Sequence, residues 1–436
     1  MTGRGTSRIP VIPGGAESDP KTSAGHEDPS RSPGSGLPGD GELDWLIIGG
    51  GPHGVHIATR LLEDAGISSE RLRIVDPNPR LLERWRSFTL TTGMTHLRSP
   101  SVHHLGREPL ALQRFAGRRK NRSGGLFAAP FERPSLSLFN AHCDQVTESF
   151  GLSDLHIQDR VTACSVRKDG VFVQLTDDRV VRASNIVLAI GAGDQPAWPE
   201  WAPRDHPRVN HVFAPDFDGW PGEKEAVLVV GAGISAGHVT LQLLAEGHQV
   251  HIASRHDLRE HQFDSDPGWL GPKYTTRFHQ EPDPDRRRAV ISQARHRGSV
   301  PPDMARSIRR AISDERLCWH EGEVCSFESD HGDLKVEIGT ASTLRVDRIL
   351  LATGFTTRRP GGSMVDDLVA SASLPVARCG YPVVDQCLRW HPRVYVSGPL
   401  AELELGPVSR NLAGARRAGE RMVAAIREEG LIAPDN

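Results

Sequence analysis

Two glycine-rich turns of nearly the same design lie 182 residues apart and constrain the fold more than any other feature of the chain. The first reads Gly49-Gly50-Gly51-Pro52-His53-Gly54 and follows the apolar run Leu46-Ile47-Ile48. The second reads Gly231-Ala232-Gly233-Ile234-Ser235-Ala236 and follows Val227-Leu228-Val229-Val230. Each turn follows an apolar run of strand length and begins a helical pattern. This is the context in which a GxGxxG/A sequence indicates a dinucleotide-binding site.

Each small residue of the motif has its own physical role. The first glycine permits the tight turn, and the second lets the backbone approach a pyrophosphate. The third small residue lets helix and strand pack closely, and the helix N-terminus faces the phosphates. Two such motifs in one chain predict two bound dinucleotides, which are usually a flavin and a nicotinamide.

The residue at the end of the next strand indicates which dinucleotide binds at each turn. The run Leu72-Arg73-Ile74-Val75 ends in Asp76, whose carboxylate suits ribose hydroxyls and repels a 2′-phosphate. The run 250–253 ends in Ser254 and Arg255, and a guanidinium suits a 2′-phosphate. We therefore assign FAD to the first site and NADPH to the second. The alternatives are a turn residue before Pro77 for Asp76 and a solvated surface arginine for Arg255.

Length and composition exclude several classes of protein. A chain of 436 residues is long enough for two to three domains, and its net charge of -3 gives no sign of nucleic-acid or anionic membrane binding. No apolar stretch approaches the roughly 20 residues of a membrane span. The N-terminus lacks the apolar core of a secretory signal, so we expect a cytoplasmic protein.

Six cysteines without a CxxC or CxxxxC pair argue against a flavoprotein disulfide reductase. His103 and His104 are adjacent but lack further ligands at suitable spacing, so no metal site is expected.

The pattern of apolar runs predicts an α/β protein with two Rossmann-like domains, in which the NADPH domain is inserted into the FAD domain. Residues 1–42 are dominated by small and polar residues and are predicted to be a disordered leader. The FAD domain is expected at 43–224 and 348–436, with an insertion at 77–150, and the NADPH domain at 225–347. A second, polar and irregular insertion is expected at about 256–312. The last helix is expected from about Pro407 to Glu428.

The paired turns, together with the run that ends Ala352-Thr353-Gly354, resemble class B flavin-dependent monooxygenases, and the nearest branch is the lysine/ornithine N-hydroxylase-like group. The stretches 94–100, 262–273 and 406–415 are also similar to uncharacterised members of that group. The resemblance covers residues 44–428 and implies an FAD- and NADPH-dependent monooxygenase. Such an enzyme forms a flavin hydroperoxide and oxygenates a small nucleophilic substrate, here by N-hydroxylation of an amine or amino-acid-like molecule.

Two departures from the family pattern concern the reaction rather than the cofactors. Characterised N-hydroxylases carry Phe-Leu-Lys-Asp-Leu where this chain reads His96-Leu97-Arg98-Ser99-Pro100. The monooxygenase fingerprint FxGxxxHxxx(F/Y) is only partly present at Asn210-His211-Val212-Phe213. The resemblance therefore does not carry the family's substrate specificity.

The resemblance supplies the remaining candidate residues. His96 and Arg98 are the catalytic candidates: Arg98 is suited to a substrate carboxylate or a cofactor phosphate, with a structural salt bridge as the alternative. His96 is either a proton carrier or a satisfied buried histidine. The backbone at Val408 and Ser409 is expected to face the flavin pyrimidine edge, where a helix N-terminus stabilises negative charge. The expected cofactor contacts are Gly49, Gly51, Pro52, His53, Gly54, Asp76, Val161, Gly231, Gly233, Ile234, Ser235, Ala236, Ser254, Arg255, Gly354, Gly398, Pro407 and Val408.

The expected partners are a small-molecule substrate and molecular oxygen, with no nucleic acid and no membrane, and the protein is a possible homo-oligomer. An NADPH-dependent reductase that passes electrons to a protein partner or a quinone is the alternative function. A nucleotide-binding protein without turnover is a third.

Overall fold

The computed structural model describes residues 43–118, 125–215, 217–330, 332–339 and 342–428. The predicted disordered leader at 1–42 lies outside these residues. The strands within the described part are β1 Leu43–Ile48, β2 Leu72–Asp76, β3 Phe127–Ala128, β4 Arg133–Pro134, β5 His156–Gln158, β6 Val161–Arg167, β7 Gly170–Leu175, β8 Val180–Leu188, β9 Val209–His211, β10 Ala226–Val230, β11 Gln249–Ser254, β12 Arg259–Glu260, β13 Ser299–Val300, β14 Leu317–Glu321, β15 Val324–Asp330, β16 Asp333–Ile338, β17 Ser342–Val346, β18 Arg348–Leu351, β19 Arg389–His391 and β20 Val394–Val396.

The α-helices of the same residues are α1 Pro52–Glu63, α2 Glu83–Thr91, α3 Ala111–Arg118, α4 Leu136–Ser149, α5 Ile234–Glu246, α6 Pro272–Gln280, α7 Pro284–Ala294, α8 Pro302–Ser313, α9 Gly362–Ala372, α10 Glu402–Leu405 and α11 Leu412–Glu428. Short 3-10 turns lie at 69–71, 152–155, 267–270, 398–401 and 406–410. No helix among the described residues is long and apolar enough to cross a membrane.

The first glycine turn follows the carboxyl end of β1 in a mostly parallel sheet of order β19-β20-β8-β1-β2-β5. The antiparallel strands β6 and β7 extend this sheet from β8. Strand β1 is central and pairs in parallel with β2 and with β8, so that Ile47 lies between Ile74 and Val187. These strands are buried on both faces and are therefore almost continuously apolar. Helix α1 crosses from β1 to β2 and packs against α11.

The second glycine turn lies at the edge of a five-stranded parallel sheet of order β14-β11-β10-β18-β9. Here β10 is central, and Val229 lies between Ile252 and Leu350. The predicted fold class, two Rossmann-like parallel sheets in one α/β chain, is confirmed. In both sheets the glycine turn follows the carboxyl end of the central strand, which is where ligands bind in open α/β sheets.

Two strands lie in a different sheet from the one that the predicted domain limits imply. Strand β18 at Arg348–Leu351 and strand β9 at Val209–His211 both pair within the second sheet, whereas we had assigned both segments to the FAD domain. A buried apolar run has no pattern that specifies its neighbours, because parallel partners are distant in sequence. The connections between the sheets therefore run through 189–208 and 352–361.

The first insertion contains α2, α3 and α4 between irregular segments. The second is mainly helical, and the prediction that residues 256–312 are irregular was wrong. That segment contains α6, α7 and α8, and each of these helices begins with a proline at its first position: Pro272, Pro284 and Pro302. Proline suits the first helical position because it lacks only an N–H that has no partner there. The last helix also begins later than predicted, at Leu412, because residues 406–410 form a separate 3-10 turn.

Candidate active site

The first turn fits a dinucleotide at the backbone level. Gly49 has a φ of +113°, and a Cβ added there would lie 2.6 Å from the carbonyl oxygen of Ala189. A Cβ on Gly54 would lie 1.8 Å from the Gly49 oxygen, so only glycine lets α1 approach the turn. Around Gly51, by contrast, no protein atom lies within 4 Å of the corresponding Cβ position. Gly51 is the N-cap of α1 and no side chain caps it, so free backbone N–H groups face open space, as a pyrophosphate requires.

The second turn repeats this geometry. Gly231 has a φ of +129°, and its Cβ would lie 2.6 Å from the oxygen of Ala352. Gly233 is the uncapped N-cap of α5, and the nearest atom to its Cβ position is the Cα of Gly298, 3.8 Å away. The third motif position is occupied by Ala236, whereas the first motif has Gly54 there. The second turn therefore has room for a methyl group between helix and strand. Both turns therefore fit a dinucleotide, and they differ in how closely the helix packs.

The strand ends differ in charge and in bonding. Asp76 accepts hydrogen bonds from the backbone N–H of Gly50 at 2.7 Å and from Asn78, through its side-chain amide at 2.7 Å and its backbone N–H at 2.9 Å. The carboxylate is thus fixed beside the first turn. Arg255 is exposed, and its guanidinium makes no hydrogen bond or ion pair with any residue that the structure describes. The hydroxyl of Ser254 is buried and donates to the carbonyl of His256 at 2.7 Å.

His53, in the first turn of α1, links the glycine motif to the C-terminal part of the chain. Its Nδ1 lies 2.8 Å from the hydroxyl of Ser397, and its Nε2 is buried without a partner among the described residues. Burial lowers the pKa of His53 to about 4, an effect that the backbone of Asn411 and Arg410 only partly offsets. The imidazole is therefore neutral near pH 7. A buried, unpartnered ring nitrogen next to an open phosphate-binding turn fits a cofactor that occupies this space.

The turn at 406–410 lies at the base of the same region. The hydroxyl of Ser409 donates to the carbonyl of Gly398, a residue with a φ of +62°. The side chain of Val408 packs into an apolar cluster with Trp269 and Tyr381, which leaves only its backbone for a ligand. Contact of this turn with the flavin stays a prediction.

Arg98 joins the two insertions. Its Nη2 donates to the carbonyl oxygens of His261 at 2.7 Å and Phe263 at 2.9 Å and to the hydroxyl of Ser299, and its Nε donates to Gln262 at 3.0 Å. Three of these hydrogen bonds fix the loop at 261–263, and the fourth reaches Ser299. His96 is half-buried, and its Nε2 lies 3.0 Å from the carbonyl of Gly125. The geometry assigns both residues to the framework of the insertions, and a direct contact with substrate stays a prediction.

The other predicted contacts lie at connections between elements. Val161 begins β6, two residues after Asp159, whose N–H donates to the carbonyl of Asp76 at 3.2 Å. Gly354 has a φ of +75° and lies in the connection out of the second sheet, where its carbonyl accepts from Ala197 at 2.9 Å. The structure therefore places Val161 close to the carboxyl end of β2. Gly354 lies in the connection that leads from the second sheet back to the first.

Comparison with known proteins agrees with this geometry. A family model described as "Pyridine nucleotide-disulphide oxidoreductase" matches residues 46–286, which is more than half of the chain. The chain belongs to this family. No curated protein sequence matches it.

Several solved structures of similar fold are N-hydroxylases. The ornithine N-hydroxylase of Kutzneria sp. 744 has 19% identity and a TM-score of 0.71, covering 89% of this chain and 100% of that one. The L-lysine 6-monooxygenase of Pseudomonas syringae has 18% identity and a TM-score of 0.65, covering 89% and 99%. The bacillithiol disulfide reductase of Bacillus cereus has 16% identity and a TM-score of 0.60, covering 89% and 100%. At these identities the likeness concerns the fold.

As a member of this family, the chain is an oxidoreductase, and the predictions of FAD and NADPH as cofactors are confirmed at the family level. The resemblance to the flavin monooxygenase-like group is likewise confirmed, since both N-hydroxylases share the fold over nearly the whole described chain. All six cysteines are free, and two of them, Cys143 and Cys164, are buried with thiol pKa values raised by burial.

Sequence reasoning missed a group of arginines near the 406–410 turn. Glu402 is buried and pairs with Arg410 at 2.7 Å and 3.1 Å and with Arg288. Arg295 donates to the carbonyl of Pro407 at 3.0 Å, and Arg297 lies next to Gly298 above the second turn. The only sequence signal was the run Arg295-His296-Arg297-Gly298, which lies inside the segment that we had interpreted as irregular.

Proposed function

We propose that this protein is an FAD-dependent, NADPH-driven monooxygenase that oxygenates a small nucleophilic substrate, by N-hydroxylation of an amine or amino-acid-like molecule. The uncapped N-terminus of α1 and Asp76 hold FAD. The uncapped N-terminus of α5 and Arg255 hold NADPH. When bound, the two cofactors supply hydride transfer from NADPH to the flavin and the reaction of reduced flavin with dioxygen.

The chain's own contribution is position and electrostatics. Neutral His53 places no positive charge beside the first turn, and its Nε2 is free to bond a cofactor or a substrate atom. Backbone N–H groups of the 406–410 turn and of α11 would supply partial positive charge to a negatively charged reduced flavin bound beside them.

The observation that carries the proposal is the attachment of one insertion to the other by Arg98. Three consecutive carbonyls, from His261 to Phe263, accept from this one guanidinium, so the two insertions are joined. We propose that the joined insertions form one cover over the flavin. A monooxygenase needs such a cover because water must be kept away from its oxygenating species. A reductase that serves a protein partner needs an accessible flavin instead.

Oxygen coupling tests this function. NADPH consumption, oxygen uptake, hydrogen peroxide and hydroxylated product are measured over a panel of amines and amino acids. We expect one class of amine to raise product per NADPH while peroxide falls. Absence of coupling with every amine, together with rapid reduction of a quinone or a ferredoxin, would establish the reductase alternative.

The variant Arg98→Ala tests the role of the cover. Arg98→Ala leaves the three carbonyls without their donor, so the loop should loosen and peroxide per NADPH should rise several-fold. Flavin reduction by NADPH should continue. Arg114→Ala is the matched control, because Arg114 lies in the same insertion and is exposed, with only a 3.8 Å contact to Glu108. Equal peroxide formation per NADPH in the two variants would show that the contacts of Arg98 do not protect the oxygenating species from water.

A further inference from the structure

The segment 295–298 reaches from the second glycine turn to the turn at 406–410. At one end, the Cα of Gly298 is the atom closest to the Cβ position of Gly233, at 3.8 Å. At the other, the Nη2 of Arg295 donates to the carbonyl of Pro407 at 3.0 Å. The segment itself is held in place, since the backbone N–H of His296 donates to the backbone carbonyl of Asp264 at 2.7 Å and the Nδ1 of His296 lies 3.0 Å from the carbonyl of Phe263. The backbone that carries Arg295 and Arg297 is thus fixed between the second glycine turn and the turn at 406–410.

Neither arginine has an acidic partner in contact. Arg295 is largely buried, and its Nε is a buried donor without an acceptor among the described residues. The guanidinium of Arg297 is exposed and makes no hydrogen bond or ion pair within the described part of the chain. A buried guanidinium that lacks an anionic partner is costly, so such a group normally meets an anion.

Positive charge exceeds negative charge around this segment. Arg288 and Arg410 share the single carboxylate of Glu402. Asp264 is the one other nearby carboxylate acting on Arg295, and its side chain forms no ion pair with a described residue. Burial, together with the charges of Arg410 and Arg297, lowers the pKa of Arg295 to about 10, so it remains charged at neutral pH. Among the residues that the structure describes, no further carboxylate forms an ion pair with these arginines.

We propose that Arg295 and Arg297 form a binding site for an oxyanion group of the substrate, a carboxylate or a phosphate, separate from the phosphate positions of the two cofactors. The proposal rests on the proposed function, because it places the substrate in the space between the two turns. It narrows the substrate class to molecules that carry an anionic group besides the atom that is oxygenated. Arg98, whose donors are used by the second insertion, does not bind this anion.

Inorganic phosphate is the probe that tests the site. The FAD-loaded protein is saturated with NADP⁺, so that the cofactor phosphate positions are occupied, and phosphate is titrated by calorimetry. We expect the wild-type protein to bind phosphate, Arg297→Ala to raise the dissociation constant at least about tenfold, and Arg297→Lys to give an intermediate value, because lysine keeps the charge but loses the planar fork. Arg277→Ala should leave phosphate binding unchanged, since Arg277 is exposed on α6 and its guanidinium pairs with no residue that the structure describes.

Three results would overturn the site: no phosphate binding by the wild-type protein, equal binding by wild type and Arg297→Ala, or loss of phosphate binding once NADP⁺ is present. The last result would assign the arginines to NADPH. Since Arg297 is exposed, its replacement should not impair folding, whereas Arg295→Met removes a buried contact and requires flavin content and Tm as additional readouts. The titration involves no turnover, so its failure would leave the monooxygenase proposal intact, and absence of oxygen coupling would leave phosphate binding unaffected.

Discussion

The two glycine turns share one backbone design but differ in packing and in charge. In each, the first glycine has a positive φ and faces a strand carbonyl 2.6 Å from its Cβ position. The two turns differ at the third small residue of the motif: Gly54 leaves no room for a methyl group, whereas Ala236 carries one. The strand ends separate them further, because Asp76 is fixed by Gly50 and Asn78 while Arg255 has no partner among the described residues.

This difference indicates which features of a dinucleotide site depend on the fold and which select the ligand. The positive φ of the first glycine and the uncapped helix N-terminus recur because both turns accommodate a pyrophosphate. The charge at the strand end differs because the two riboses differ. A bonded carboxylate is a rigid acceptor for two hydroxyls, whereas a free guanidinium can close on a 2′-phosphate when the ligand arrives.

Replacing Gly54 with alanine should have the largest effect and should be confined to the first turn. The new Cβ would lie 1.8 Å from a backbone oxygen, so α1 must move, at a cost of about 3 kcal/mol or more. We expect most FAD to be lost and Tm to fall. Ala236→Gly is the control in the second turn and should cost only about 1 kcal/mol, with flavin retained. Full flavin content in Gly54→Ala would show that the first turn does not need its close packing.

Arg255→Ala should affect the second site alone. Loss of charge-assisted contacts worth about 1.5–3 kcal/mol predicts a rise of roughly tenfold to a hundredfold in the dissociation constant for NADPH. The dissociation constant for NADH should not change. Anaerobic stopped-flow reduction of the flavin measures both constants, and Arg277→Ala serves as the surface-arginine control. An equal loss for the two nucleotides would make Arg255 a structural residue.

Acid should destabilise the protein through the buried histidines of both motif helices. Burial lowers the pKa of His56 in α1 to about 3 and that of His238 in α5 to about 4. Between pH 6.5 and these values the unfolded state binds protons that the folded state does not, so stability falls as pH falls. The slope is at most about 1.4 kcal/mol per pH unit for each histidine.

His56→Gln should therefore flatten the decline of Tm between pH 6.5 and 4, because one of the contributing groups no longer titrates. Thermal unfolding at several pH values checks this. An unchanged slope in the variant would mean that His56 is not a neutral, buried group in the folded protein.

The sequence was most informative where a local pattern determines a local structure. The glycine motifs predicted both strand–turn–helix units, and α1 and α5 begin inside the two motifs, at Pro52 and Ile234. The fold class followed from these units. Strand partners did not follow, since nothing in the apolar run 348–351 indicates that it pairs with β10 rather than with β8.

The candidate site was less predictable because it depends on side chains brought together from distant segments. Arg98 was singled out from the sequence, but its acceptors lie more than 160 residues away, so its bonding was not predictable. Arg295 and Arg297 lie in a polar segment that we interpreted from its sequence as irregular. Their importance comes from their position beside Gly233 and Pro407, which only the tertiary structure reveals.

A crystal structure of the protein with FAD and NADP⁺ bound would test the central claim most directly. The account predicts FAD at the first turn, with its adenosine ribose within hydrogen-bonding distance of Asp76. It also predicts the 2′-phosphate of NADP⁺ within about 3 Å of the guanidinium of Arg255. The opposite placement of the two cofactors, or a 2′-phosphate bound away from Arg255, would contradict it.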